Sequence, residues 1–249
     1  MEPKHLFFRI SDLGKIMFSI FSICFVLAVA SPLNAHNLWI VGDAEKNGNG
    51  AVHLYFEHHV GPGDGSFVGP ILKHGKTWLN TLNSDPRNVE LKEIIEGDLK
   101  YLGGTTGKIE PPFSLDHKSL YGIYHGRMDF FYGRYIQVSQ IEELAGLAES
   151  PHLPFQIVPV WNKNKLSLRI MFFSNPYPRA KIYLLASDGT EKEFIADNKG
   201  EISIPGKPAE VYHFASYAFE NDAAGVFEYD AFKGIMYGST LILKLSSTP

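Results

Sequence analysis

The stretch Ala51-Val52-His53-Leu54-Tyr55-Phe56-Glu57-His58-His59 decides how the rest of the chain is read. Val52, Leu54, Phe56 and His58 share one parity; His53, Tyr55, Glu57 and His59 share the other. Successive side chains of an extended backbone point to opposite sides, so an apolar period of two describes a strand with one buried face. The run ends in Glu57 and two histidines and passes into VGPGDGSFVGP (60–70), whose glycines and prolines read as a loop.

Further along, KTWLNTL (76–82) and NVELKEII (88–95) read as short strands, and YLGGTTGKIEPPF (101–113) as irregular chain. SLYGIYHGRMDFFYGRYIQV (119–138) is aromatic and glycine-punctuated, a pair of strands with a tight bend or bulge at Gly126. One helix is predicted. Ser139 caps it, Glu142 closes a capping box, Ile141, Leu144, Leu147 and Ala148 keep helical spacing, and Pro151 stops it. Seven short strands follow between Phe155 and Leu245, split by Asn, Gly and Pro turns, the pattern of an antiparallel sandwich. The expected fold is therefore all-β with one or two short helices: two packed antiparallel β-sandwich-like domains, residues 36–152 and 153–249.

The first 35 residues are expected to stand apart. Lys4, Arg9 and Lys15 precede the apolar run 16–30, and Pro32 and small residues follow, the order of a secretory signal peptide. The run falls short of the ~20 residues a spanning helix needs. Cleavage after Ala35 leaves His36 first, and cleavage after Ala30 leaves Ser31 first. The expected location is the periplasm or the cell exterior, with no membrane span once the leader is removed. The one cysteine, Cys24, lies in the leader, so the mature chain holds no disulfide or thiolate site. A net charge of −4 without any Lys/Arg-rich run gives no electrostatic case for nucleic acid. No Gly-x-Ser-x-Gly elbow, His-Glu-x-x-His helix or phosphate loop is present, so no enzyme activity is expected.

SNPYPRAKIYLLASDGTEKEFIADNKGEISIP (174–205) and AEVYHFASY (209–217) resemble the transthyretin-like, carboxypeptidase-regulatory type of sandwich, with Asp197-Asn198-Lys199-Gly200 as its Asp-x-x-Gly turn. The resemblance implies an immunoglobulin- or transthyretin-like C-terminal domain. AHNLWI (35–40), VHLYFEH (52–58), YGIYHGRMDFFYGRYIQV (121–138), LPFQIVPV (153–160) and AGVFEYDAFKGIMYGSTLIL (224–243) are similar to the periplasmic family known as the nickel uptake substrate-specific region, otherwise of unknown function. That likeness runs from His36 almost to Leu245. It implies a secreted soluble domain tied to nickel or cobalt uptake, with a membrane metal transporter as partner. Relatives often carry Arg-His-Gly or Arg-His-Tyr before the last strand; here Met236-Tyr237-Gly238 stands there, so the resemblance does not carry a metal role over to that position.

Without thiols, metal would be held by imidazole, carboxylate or a terminal amine, and neutral imidazole suits Ni(II), Co(II) and Cu(II). His36, as a first residue, would chelate through amine and ring together. His58 and His59 sit on opposite strand faces; Glu57 and His59 share one, about 7 Å apart along the chain. His125 lies beside Gly126, and His117 follows Asp116. These six, His36, Glu57, His58, His59, His117 and His125, are the candidate metal residues. His213 alternates with Val211 and Ala215 and reads as core; His53, His74 and His152 read as surface or loop. Phe130, Phe131, Tyr132 and Tyr135 would serve a sandwich core before a sugar platform. The expected function is binding of nickel, cobalt or copper. The alternative is a metal-free adhesion or interaction module for protein or glycan, and a copper histidine-brace oxidase ranks third.

Overall fold

The alternation at 51–59 becomes β2 (Asn49–Glu57), with Val52, Leu54 and Phe56 buried. Its antiparallel neighbour is β1 (Asn37–Ala44). A computed structural model describes residues 36–44, 49–162, 165–186, 190–204 and 211–245. The expected leader at 1–35, with both expected cleavage sites and Cys24, lies outside the described residues.

The remaining strands are β3 (Lys76–Thr81), β4 (Ser84–Val89), β5 (Lys92–Glu96), β6 (Leu99–Lys108), β7 (Phe113–Tyr124), β8 (Arg127–Val138), β9 (Phe155–Asn162), β10 (Lys165–Phe172), β11 (Asn175–Pro176), β12 (Lys181–Leu185), β13 (Glu191–Ile195), β14 (Glu201–Ser203), β15 (Val211–Phe227) and β16 (Asp230–Leu245). They form three sheets. The first has the order β1-β2-β6-β5; the second joins β9, β11 and β14 to β10; the third is eight-stranded, β13-β12-β15-β16-β8-β7-β3-β4.

The eight-stranded sheet is the middle layer. Tyr132, Ile136 and Val138 of β8, with Tyr237, Leu241 and Leu243 of β16, pack in one core against Phe155, Ile157, Leu168, Ile170 and Ile202 of the second sheet. Residues of the other parity, Phe131 and Tyr135 with Met236 and Ile242, pack in a second core against Leu38, Ile40, Leu54, Phe56 and Leu102 of the first sheet. The all-β sandwich architecture is as expected. The join between its halves is not antiparallel: β8 and β16 pair in parallel from Met128↔Ile235 to Val138↔Leu245. Residues 36–152 and 153–249 thus share one sheet, because each central strand offers an apolar surface on both sides.

A buried ion pair ties down the connection between the halves. Asp116 on β7 and Arg134 on β8 are register partners, and Arg134 Nε donates to Asp116 Oδ1 at 3.0 Å. Arg134 also donates to Leu147 O at 2.5 Å and to Ala148 O. Ser150 Oγ and Asn80 Nδ2 donate to Asp116 Oδ2 at 2.6 and 2.9 Å. A desolvated charge pair holds when its leftover hydrogen-bonding capacity is met in this way.

Several local expectations are corrected. Residues 60–70 are not all loop: α1 (Val68–His74) begins inside them, with Pro70 in its first turn, where a missing N–H costs nothing. The 88–95 run is two strands in different sheets, β4 and β5. The glycine-rich 101–113 region contains β6; a Cβ on Gly104 would stand 2.3 Å from Glu90 O and one on Gly103 2.8 Å from Ile94, so glycine is what lets neighbouring chain approach. The predicted helix is a 3₁₀ turn, Ile141–Glu143, running into α2 (Leu144–Leu147). Glu143, not Glu142, closes its start, its Oε2 accepting from Ser139 N and Gln140 N at 2.9 Å. β15 and β16 are much longer than the expected strands and meet at a two-residue turn, Glu228-Tyr229, with φ of 48° and 77°. Among the described residues no helix is long and apolar enough to cross a membrane.

Candidate functional site

The register of β1 and β2 builds the site. Asn37 pairs with Glu57 and Leu38 with Phe56. One step beyond the ladder, the same register sets His36 opposite His58. Their ring centroids lie 4.5 Å apart at 39°. His58 therefore meets His36 by cross-strand neighbourhood, the closest side-chain relation a sheet offers.

Aromatic rings hold the His36 imidazole. Phe56 stacks on it at 5.5 Å and Phe67 meets it edge-on at 4.9 Å. Burial among these rings lowers the pKa of His36, repulsion from His58 adds to the lowering, and Glu57 and Asp64 act weakly against it. The lowering favours the neutral ring, the form of imidazole that a metal ion binds.

The loop after β2 crosses this end. Lys100 N donates to Gly63 O at 2.8 Å. A Cβ on Gly63 would stand 1.7 Å from Glu57 Oε1, and one on Gly65 2.4 Å from the Lys100 side chain. The loop lies this close to β2 and β6 because it has no side chains at those positions. Gly65 has φ +66°, the left-handed region glycine enters without strain. Asp64 Oδ1 accepts from Ser66 N at 2.9 Å, and this bond holds its carboxyl below the usual range. Trp39 Nε1 donates to Glu57 O at 3.1 Å, fixing the strand end from beneath.

The other candidates lie elsewhere. His59 is exposed just past the strand end. His125 is exposed at the β7–β8 turn with φ 50°, its ring 4.2 Å from Tyr124. His117 is 1 % exposed. Its Nδ1 bonds Thr77 Oγ1 at 2.8 Å, its Nε2 has no partner, and burial pushes its pKa down to about 3. It belongs to the floor under α1. Among the described residues no three His, Asp or Glu side chains stand together in a metal-holding group.

The sequence reading passed over Asp64, Phe67, Tyr121 and Tyr124. Rings continue from the imidazoles: Phe67 to Tyr121 at 6.5 Å, then Tyr121 to Tyr124 at 6.1 Å, with Tyr124 44 % exposed. Phe131, Tyr132 and Tyr135 are buried as core. His152 is half-buried, not a free surface residue, and stacks on Trp78 at 4.3 Å.

No family model and no curated protein matches this chain. Among solved structures it is similar to one titled "Biofilm associated protein - BSP domain", at 9 % identity and a TM-score of 0.21, over 85 % of this chain and 30 % of that one. The chain thus spans less than a third of that structure's length, and so slight a likeness carries no functional weight.

Proposed function

We propose that this protein is an all-β binding module that takes a divalent transition metal ion at His36 and His58. The observation that carries the reading is the pair of imidazole rings whose centroids lie 4.5 Å apart. Imidazole and carboxylate donors suit nickel, cobalt and copper in the divalent state. The resemblance to the nickel uptake family supports the same reading, with a periplasmic or secreted location and a membrane transporter as recipient of the ion. Should processing expose His36 as the first residue, its amine would add a third nitrogen.

A second reading has its own support. The half-exposed row Phe67, Tyr121 and Tyr124 offers ring faces and hydroxyls of the kind that contact protein or glycan without metal. Calorimetric titration of the purified protein with Ni(II), Co(II) and Cu(II) separates the two. Saturable binding that His36→Ala weakens at least ~10-fold is expected, the scale seen for residues that hold or orient a metal. Heat signals absent for all three ions, or unchanged in the variant, would leave the adhesion reading in its place.

A further inference from the structure

A cleft of about 510 Å³ opens where α1 passes into β3, bordered also by the connection from β4 to β5. Sites for small molecules span roughly 300–1,000 Å³. Ile71 and Leu72 of α1, with Val89, Leu91 and Leu102, give the cleft an apolar lining, and His117 of β7 stands in its wall. One edge of the His117 ring is taken: Nδ1 is bonded to Thr77 Oγ1 at 2.8 Å. The other edge, Nε2, is buried and has no partner among the described residues. That edge lies against Gly75, which also borders the cleft. A Cβ on Gly75 would stand 2.7 Å from Cε1 and 3.0 Å from Nε2 of the ring. Glycine at the exit of α1 therefore leaves uncovered a side of the ring that any other residue would cap. Buried polar atoms are almost always hydrogen-bonded, so an open one in the wall of a cleft marks the place for a partner.

The chemistry of the partner follows from the ring. Burial keeps His117 neutral, so one nitrogen carries a proton and the other a lone pair. If the Thr77 hydroxyl donates to Nδ1, both groups are satisfied at once. In the reverse arrangement the hydroxyl hydrogen would need a second acceptor in the same dry wall. The proton is accordingly assigned to Nε2, which presents a donor and calls for an acceptor. The mouth holds one charge of each sign, Lys76 and Glu90, both exposed, and so selects no net charge. An anion entering the cleft would exchange its hydration for a single neutral donor, a losing trade. We infer that this cleft binds a small, uncharged apolar molecule through one carbonyl oxygen, which accepts a hydrogen bond from His117 Nε2 while the hydrocarbon body lies on Ile71, Val89, Leu91 and Leu102. The cleft shares no lining residue with the imidazole pair at the end of β1 and β2, and the inference does not rest on the metal reading.

The test uses the full-length purified protein and three probes of nearly one shape, with affinities read by equilibrium dialysis. Benzophenone carries a carbonyl, diphenylmethane has no polar group, and diphenylamine offers an N–H donor. Benzophenone is expected to bind ~10-fold more tightly than either of the others, the scale of one hydrogen bond to a group otherwise left open. His117→Leu should erase that preference and leave the three probes alike. Val89→Phe narrows the cleft and should weaken all three. Should His117→Leu fail to fold, nitrogen NMR of the wild-type imidazole decides: benzophenone is expected to move the Nε2–H resonance of His117, and diphenylmethane to leave it in place. Diphenylmethane binding as tightly as benzophenone, or a preference that survives in His117→Leu, overturns the hydrogen-bonded anchor. Diphenylamine binding tightest of the three overturns the assigned proton and with it the carbonyl class. If no probe binds the wild type, the cleft takes water alone and the inference fails. A failed Ni(II) titration bears on the metal reading and leaves this one untouched.

Discussion

Strands β2 and β16 are both extended chain, yet they are built on opposite rules. β2 alternates buried and part-exposed residues along its length and ends paired at Glu57, with His58 and His59 exposed just past its end. From Gly238 to Leu243 every residue of β16 is buried, because one parity faces one core and the other parity the second. A strand wet on one side can carry chemistry at its end at little cost to the fold. A strand dry on both sides is committed to packing, and any polar group placed on or beside it must be fully partnered. Asp116 on β7 and Arg134 on β8, the strand beside β16, show what that partnering takes.

The contrast can be broken most forcefully at Arg134. Arg134→Ala leaves Asp116 buried with its charge unanswered, and should cost about 3–5 kcal/mol, read as a lowered urea midpoint at unchanged slope. A loss below about 1 kcal/mol would mean that the middle layer tolerates a lone charge and that the contrast is overstated.

Acid probes the same layer next. His117 holds its folded pKa at about 3, against an ordinary value of 6.5. As pH falls below 6.5 the unfolded chain takes up the proton first, so stability begins to fall there, and the loss is complete only once pH has passed the folded value near 3. The window is therefore pH 6.5 to 3, and the full loss is on the order of 5 kcal/mol. His117→Gln removes that titration, and urea midpoints measured across the window should then vary less with pH than in the wild type. Parallel pH profiles for the two proteins would show that the His117 ring contributes none of the acid sensitivity.

The smallest effect belongs to the outer strand. His58→Ala removes an exposed side chain beyond the ladder, and the stability change should stay within about 0.5 kcal/mol. Should calorimetry show a loss near that of Arg134→Ala, the imidazole pair would be part of the fold's support and not a site set upon it.

Much of the fold was legible because half-buried strands announce themselves. The period of two at Val52, Leu54 and Phe56, and the break at His125-Gly126, translate directly into backbone. The 101–113 region did not, because Gly103 and Gly104 are there for what presses on them from Ile94 and Glu90, which local pattern does not register. His36 and His58 were both legible as candidates. Their meeting required the register Asn37↔Glu57, a signal present in the sequence only for a reader who pairs the first strand with the second and counts outward from the turn. The path of loop 60–67 over β6 was not legible either, because it depends on the bridge between Gly63 and Lys100, distant in sequence.

By itself the sequence determined the class of the fold, the sites of most strands and the supply of imidazoles, since periodicity, turn residues and composition act over a few neighbouring positions. Tertiary structure alone decided that β8 and β16 run in parallel through one shared sheet, that His117 is sealed beneath α1, and that the His58 ring stands against that of His36. Those outcomes depend on which apolar faces cover which, and burial is a property of surfaces brought together from far along the chain.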